Sequence, residues 1–214
     1  ASDIDTAFWA VVCRIVESVP GGASMNVEFI KLQACGSDYT LVDTFKNTIV
    51  RPRQLPDVAV QILSRRYGVG GSGLLLVAQG KKEKLRMLLY GPQGQELPSD
   101  GLALRCLSRY AFDSGLVTEE SFRVEAGDSS AAVEVLDSHN IMTSSPAPRY
   151  FGGAQTLRER AGEDFTRTLK RGSRELRCTP LDVQGPQVVV FAQDYGLAFP
   201  ELAAQVDRAG AFPP

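Results

Sequence analysis

The sequence predicts an α+β fold of two similar halves, each a mostly antiparallel, strand-rich layer wrapped around a central helix. Three observations carry this expectation. Strand patterns cluster in two stretches, 25–117 and 118–214, and each stretch holds a helical pattern among its strands. The order of these patterns differs from the alternating strand–helix–strand units of a doubly wound sheet. The 214 residues, 43% hydrophobic and 22% charged, provide enough apolar material for one large domain or two small ones, each with its own core.

Residues 3–19 read as a helix. Ser2 or Asp3 caps it, and Ala7, Trp9, Ala10, Val12, Cys13, Ile15 and Val16 form a broad apolar face. Pro20-Gly21-Gly22 stops it, and Gly21-Gly22-Ala23-Ser24 reads as a linker. Residues 1–24 are thus expected to be an N-terminal helix and linker, either an extension or a relocated piece of the same fold. Strands follow at 27–32 and 39–42, around a turn at 34–38. The stretch 55–67 reads as a helix, with Pro56 in its first turn and Val58, Ile62 and Leu63 on one face. Strands are expected at 74–77, apolar enough to be central, and at 85–90. A helix over 100–114 is ended by Gly115. The join between halves falls at 116–120. Beyond it, short strands are expected at 122–125, 132–136, 164–170, 175–183 and 187–192, with a last helix over 200–209. The polar stretch 138–163 has no clear period.

Bulk properties narrow the function. A net charge of −2 gives no general attraction to nucleic acid or to an anionic membrane. The run Lys81-Lys82-Glu83-Lys84 contains an acid and reads as a solvated turn. Four cysteines (Cys13, Cys35, Cys106, Cys178) lie far apart, and His139, the only histidine, sits in a polar loop, so zinc is poorly supported. No apolar run reaches membrane-spanning length, and the first residues lack the basic start of a signal peptide. A cytoplasmic protein with reduced thiols is expected.

Gly68-Val69-Gly70-Gly71-Ser72-Gly73 satisfies the dinucleotide pattern G-x-G-x-x-G. Its context is reversed: that fingerprint needs a strand before the glycines and a helix after them, so that the helix N-terminus meets the pyrophosphate. Here a helix precedes and a strand follows. A tight helix-to-strand turn is the expectation.

Four segments in order resemble the diaminopimelate epimerase family of cofactor-independent racemases and epimerases. Lys31-Leu32-Gln33-Ala34-Cys35-Gly36-Ser37-Asp38-Tyr39-Thr40-Leu41-Val42-Asp43 is similar to K-M-H-G-L-G-N-D-F-V-V-V-D. Arg65-Arg66-Tyr67-Gly68-Val69-Gly70-Gly71-Ser72-Gly73-Leu74-Leu75 resembles R-H-x-G-I-G-A-D-G-L-L. Gly94-Gln95-Glu96-Leu97-Pro98-Ser99-Asp100-Gly101-Leu102-Ala103-Leu104-Arg105-Cys106 aligns without gaps on G-S-E-V-E-M-C-G-N-G-A-R-C. Val183-Gln184-Gly185-Pro186-Gln187-Val188-Val189-Val190-Phe191 resembles V-G-N-P-H-A-V-V-F. The resemblance runs from Met25 to the C-terminus and leaves the second half incomplete.

It implies a site between two halves, where two bases face one Cα–H. Both are usually cysteines at helix N-termini, where the dipole and backbone N–H groups favour thiolate and hold a carboxylate. Here Asp100 stands at the first cysteine position, and Cys106 matches the structural cysteine two turns along. Ser37, Leu102 and Gly185 replace asparagines, and Gln187 replaces a histidine beside Pro186. Laying residues 1–12 over the family's late A-C-G-[ST]-G-x-C-A-A-V-V motif puts Ser2 at the second cysteine, as a circular permutation would. The alternative is an unrelated N-terminal helix.

The candidate site is therefore Asp100 and Ser2 as acid/base groups, with Ser37, Gly101, Leu102, Gly185, Pro186 and Gln187 around the substrate and no cofactor. Asp100 is either a general base or a helix N-cap, and an Asp serves both roles. Cys35 borders the same place, as a displaced thiol base or a small buried residue. Two functions stay open: an atypical isomerase moving a proton on a small carboxylate-bearing substrate, or an inactive homologue that binds or scaffolds. The expected partners are that substrate, and a second copy or a homologue.

Overall fold

The computed structural model describes residues 12–18, 24–46, 52–150, 165–171, 174–183 and 186–191. The chain divides into two compact units, Ala1–Ser145 and Pro146–Pro214. In the first, the strands are β1 (Val12–Ser18), β2 (Ser24–Ala34) and β3 (Ser37–Asp43). Helix α1 (Leu55–Leu63) precedes β4 (Gly73–Gln79) and β5 (Leu85–Tyr90). Helix α2 (Gly101–Asp113) precedes β6 (Ser121–Ala126), β7 (Ser129–Val135) and β8 (Ile141–Thr143). These strands form one sheet in the order β1 to β8, antiparallel except for the β3–β4 and β5–β6 pairs.

Strand β4 shows why the sheet is stable. Leu74, Leu75, Leu76 and Val77 are all buried, because both faces of the sheet are covered. Leu74 and Leu76 pack with Val58, Ala59, Ile62 and Leu63 of α1. On the other face, Leu75 and Val77 pack with Ala103, Leu104, Leu107 and Ala111 of α2. Burying each such leucine contributes about 1.5–3 kcal/mol. Helix α2 touches β2, β3, β4, β5, β7 and β8, so the strand layer wraps it as a central helix.

Among the described residues, the second unit holds a four-stranded antiparallel sheet of β9 (Arg149–Tyr150), β10 (Arg167–Arg171), β11 (Arg174–Asp182) and β12 (Pro186–Phe191). The helix expected at 200–209 lies outside the described residues. An α+β fold built of strand-rich layers is the outcome, as the sequence predicted.

Three details correct the sequence reading. The expected N-terminal helix does not extend over Val12–Ser18, which is a strand paired with β2 from Val12↔Ile30 to Ser18↔Ser24. Its Val12, Ile15 and Val16 are β-branched, and an antiparallel partner lies immediately downstream. The expected join at 116–120 falls within the first unit, since β6 to β8 complete the first sheet and the units divide at Ser145. Helix α1 ends at Leu63 rather than at residue 67. Tyr67, the last residue of the helix read from the sequence, is 82% exposed.

Candidate active site at the N-terminus of helix α2

The site begins with a hairpin. β2 and β3 are joined by Cys35 and Gly36 at φ +49° and +85°, the two left-handed positions of a tight two-residue hairpin turn. Glycine meets that demand at position 36 at no steric cost. Cys35, a residue that seldom adopts this conformation, sits exposed at the tip, not buried. Ser37 opens β3, and Tyr39 follows two residues later on the same face, pointing at α2.

Asp38 anchors the back of this hairpin. Its carboxylate pairs with Lys31 at 3.0 Å and with Arg65 at 2.9 Å, and accepts from the Ser72 amide and hydroxyl at 3.1 and 2.9 Å. Partial burial alone would raise its pKa, but hydrogen bonds from Lys31, Arg65 and Ser72 hold it well below the usual carboxylate range.

The same contacts dispose of the glycine-rich stretch. The Gly70 carbonyl accepts from Thr40 Oγ1 at 3.1 Å and from Lys31 Nζ. The amides of Gly68, Val69 and Gly70 close the end of α1 on the carbonyls of Ser64 and Ile62. A helix precedes, a strand follows, and these three amides are spent on the turn. The nucleotide pattern is a helix-to-strand connection.

Asp100 is the N-cap of α2. Its backbone is extended (φ −114°, ψ 130°), and its Oδ1 accepts from the Leu102 amide at 3.0 Å. Its Oδ2 accepts from the Tyr39 hydroxyl. Tyr39 is 3% exposed, and Ser37, on the same face of β3, acts on its phenol. Burial first, then the Asp100 hydrogen bond and charge, push the Tyr39 hydroxyl well above the usual phenol range. Tyr39 is therefore a standing donor. Sequence reasoning missed it, treating it as a strand residue; the signal was a Tyr where the resembled motif has Phe.

Gly101 opens α2 with room beside it, since a Cβ built there meets nothing within 4 Å. Leu102 packs against the core around α2 and offers only its amide to the site. Cys106 is fully buried two turns along the helix. Burial, and then the Asp100 carboxylate and Cys35, push its thiol up to about 12, so it is no thiolate at neutral pH.

The structure thus brings together Ser37, Tyr39, Asp100, Gly101 and Leu102 within the first unit. Gln187 lies on β12 of the second unit and is exposed, and Pro186 begins that strand. Ser2 and Gly185 lie outside the described residues. Two cavities in the first unit lie elsewhere: about 440 Å³ lined by Phe122, Val133 and Met142 among others, and about 130 Å³ beside Asp43, Lys46 and Tyr110. Among the described residues, no helix is long and apolar enough to cross a membrane.

No protein-family model matches the chain. Over 192 residues it is 28% identical to the diaminopimelate epimerase of Pelotomaculum thermopropionicum, covering 87% of this chain and 68% of that protein. The diaminopimelate epimerase of Desulforudis audaxviator is 30% identical over 171 residues, covering 78% of this chain and 61% of the relative. A Bacillus anthracis phenazine biosynthesis protein of the PhzF family superposes with a TM-score of 0.49 at 16% identity, over 86% of this chain and 54% of its own. A hydroxyproline epimerase from Agrobacterium vitis gives a TM-score of 0.49 at 10% identity, over 72% and 48%. The chain spans roughly two thirds of those curated relatives and about half of those solved chains. It is similar in sequence to diaminopimelate epimerases over most of its length.

Proposed function

We propose, taking that similarity to diaminopimelate epimerases as the premise, that this chain is an atypical cofactor-independent isomerase of the racemase and epimerase type. Its substrate is a small amino acid or other carboxylic acid, and its setting is the cytoplasm. The observation that supports this reading is the Asp100 carboxylate. It stands where the resembled motif has its first cysteine, at the N-terminus of α2, beside open space at Gly101 and in hydrogen bond with Tyr39.

In this reading Asp100 takes the proton from the substrate carbon and returns it. Backbone groups near Gly101, at the positive end of α2, attract the substrate carboxylate, while the Leu102 amide is engaged by Asp100. A general base at such a position supplies roughly 10²–10⁴-fold in rate. Cys106 takes no part, because its buried thiol holds its proton.

A second reading has a specific observation in its favour. Both oxygens of Asp100 already accept hydrogen bonds within the fold, one of them as a helix cap. That is how an inactive homologue, kept as a binding or scaffold protein and paired with a second copy or a relative, would use the residue. Proton exchange in D₂O, followed by NMR over a panel of amino acids and small unsaturated acids, separates the two. Deuterium entering a substrate carbon supports the isomerase; no exchange across the panel favours the binding protein.

A further inference from the structure

Three of the positions at which this chain departs from the resembled motifs meet in space. Ser37 replaces Asn, Tyr39 replaces Phe and Asp100 replaces Cys. Tyr39 and Asp100 are 61 residues apart in the chain, yet the Tyr39 hydroxyl donates to Asp100 Oδ2. Ser37, two residues back on the same face of β3, acts on the same phenol. These replacements depend on one another. With Phe at 39, Oδ2 of Asp100 loses its donor; without Asp100, a phenol in a 3% exposed side chain loses its charged acceptor.

We infer that Tyr39 is the positioning residue of this site: it holds one oxygen of Asp100 while the Leu102 amide holds the other, fixing the carboxylate for proton transfer. The inference rests on the isomerase reading above. In the step it serves, the substrate C–H bond breaks, an O–H bond forms on Asp100, and the electron pair stays on the substrate, delocalised into its carboxylate. The O–H bond on Asp100 then breaks as a new C–H bond forms on the other face of that carbon, or on a conjugated carbon, of the turned substrate anion, which completes the isomerisation and regenerates the carboxylate. Tyr39 keeps its own proton throughout. Burial, the Asp100 carboxylate, and Cys106 on α2 all hold it there, and only Ser37 on β3 opposes them. It is thus a donor and not the missing second base.

The test is Tyr39→Phe, which restores the motif's ring and removes only the hydroxyl. In the exchange assay, kcat is expected to fall at least tenfold with KM nearly unchanged, the pattern of a group that acts on the transition state rather than on binding. A second readout needs no activity. The alkaline absorbance titration of the wild type minus that of Tyr39→Phe isolates this phenol among the six tyrosines. In Asp100→Asn the same phenol should titrate at lower pH. If Tyr39→Phe does not fold, the alkaline titrations of the wild type and Asp100→Asn are compared directly, and one phenol moving to lower pH in the variant is the expected result. Exchange in the wild type that survives unchanged in Tyr39→Phe overturns the inference and leaves the Asp100 reading standing. A phenol titration unmoved by Asp100→Asn also overturns it. No exchange in the wild type overturns both.

Discussion

The Tyr110 hydroxyl, on the last turns of α2, donates a 2.6 Å hydrogen bond to Oδ2 of Asp43 at the end of β3, and accepts one of 3.0 Å from Lys46 Nζ. Asp43 is 4% exposed, so its carboxylate relies on such donors. Burial first, and then Asp43, raise the Tyr110 pKa and keep it a donor. Strand β3 is therefore tied to α2 twice, by Tyr39 at one end and Tyr110 at the other. Tyr110→Phe is expected to lower stability by about 1–3 kcal/mol, the cost of leaving a buried acceptor short. Urea denaturation measures it, and an unchanged midpoint would contradict the account.

Cysteine chemistry should split by position. Cys35 is exposed on the hairpin tip, whereas Cys106 is buried with its thiol pushed up to about 12. Brief native alkylation at neutral pH, mapped by mass spectrometry, should label Cys35 and spare Cys106 until urea is added. Cys106→Ala should cost about 1 kcal/mol of stability, a methyl-sized void, and leave exchange activity intact.

Asp38 makes stability depend on acid. Its folded-state pKa lies below the ordinary value of 3.8, because Lys31, Arg65 and Ser72 outweigh its partial burial. Folding therefore favours the ionised form. That contribution is fully present above about pH 4, the unfolded value, and is lost as pH falls through it toward the folded value. Urea midpoints between pH 7 and pH 3 should fall on acidification, and fall less in Asp38→Asn. Equal slopes for the two proteins would contradict this.

The glycine stretch should behave as a turn and not as a nucleotide site. A Cβ at Gly68 would lie 2.2 Å from the Gln61 carbonyl oxygen and 2.6 Å from that of Ile62, both backbone atoms with little freedom to move. Gly68→Ala is expected to cost about 1–3 kcal/mol. Nicotinamide and flavin dinucleotides should leave the Tm of the wild type unchanged.

Much of the first unit was legible because its local signals agree. Pro56 sits in the first turn of α1, Asp100 caps α2, Gly115 at φ +73° follows it, and β4 reads as continuously apolar because it is covered on both faces. The run at 12–18 misled because its apolar residues satisfy a helical period while a pairing partner, invisible to periodicity, makes it a strand. The strands at 141–143 and 149–150 are too short to carry a period at all. Motif alignment located Asp100 and Ser37. It could not show that Tyr39 joins them, since a tyrosine in an apolar strand reads as core and only the fold reveals where its hydroxyl ends.

The central claim is that Asp100 carries the proton, and the direct measurement compares deuterium uptake from D₂O by wild type and Asp100→Asn, on whichever substrate of the panel exchanges. Asparagine still caps a helix, so the fold should persist and circular dichroism should confirm it. The account expects exchange in the wild type and a loss of at least about 10²-fold in the variant. Exchange retained at the wild-type rate in a folded Asp100→Asn protein would contradict it.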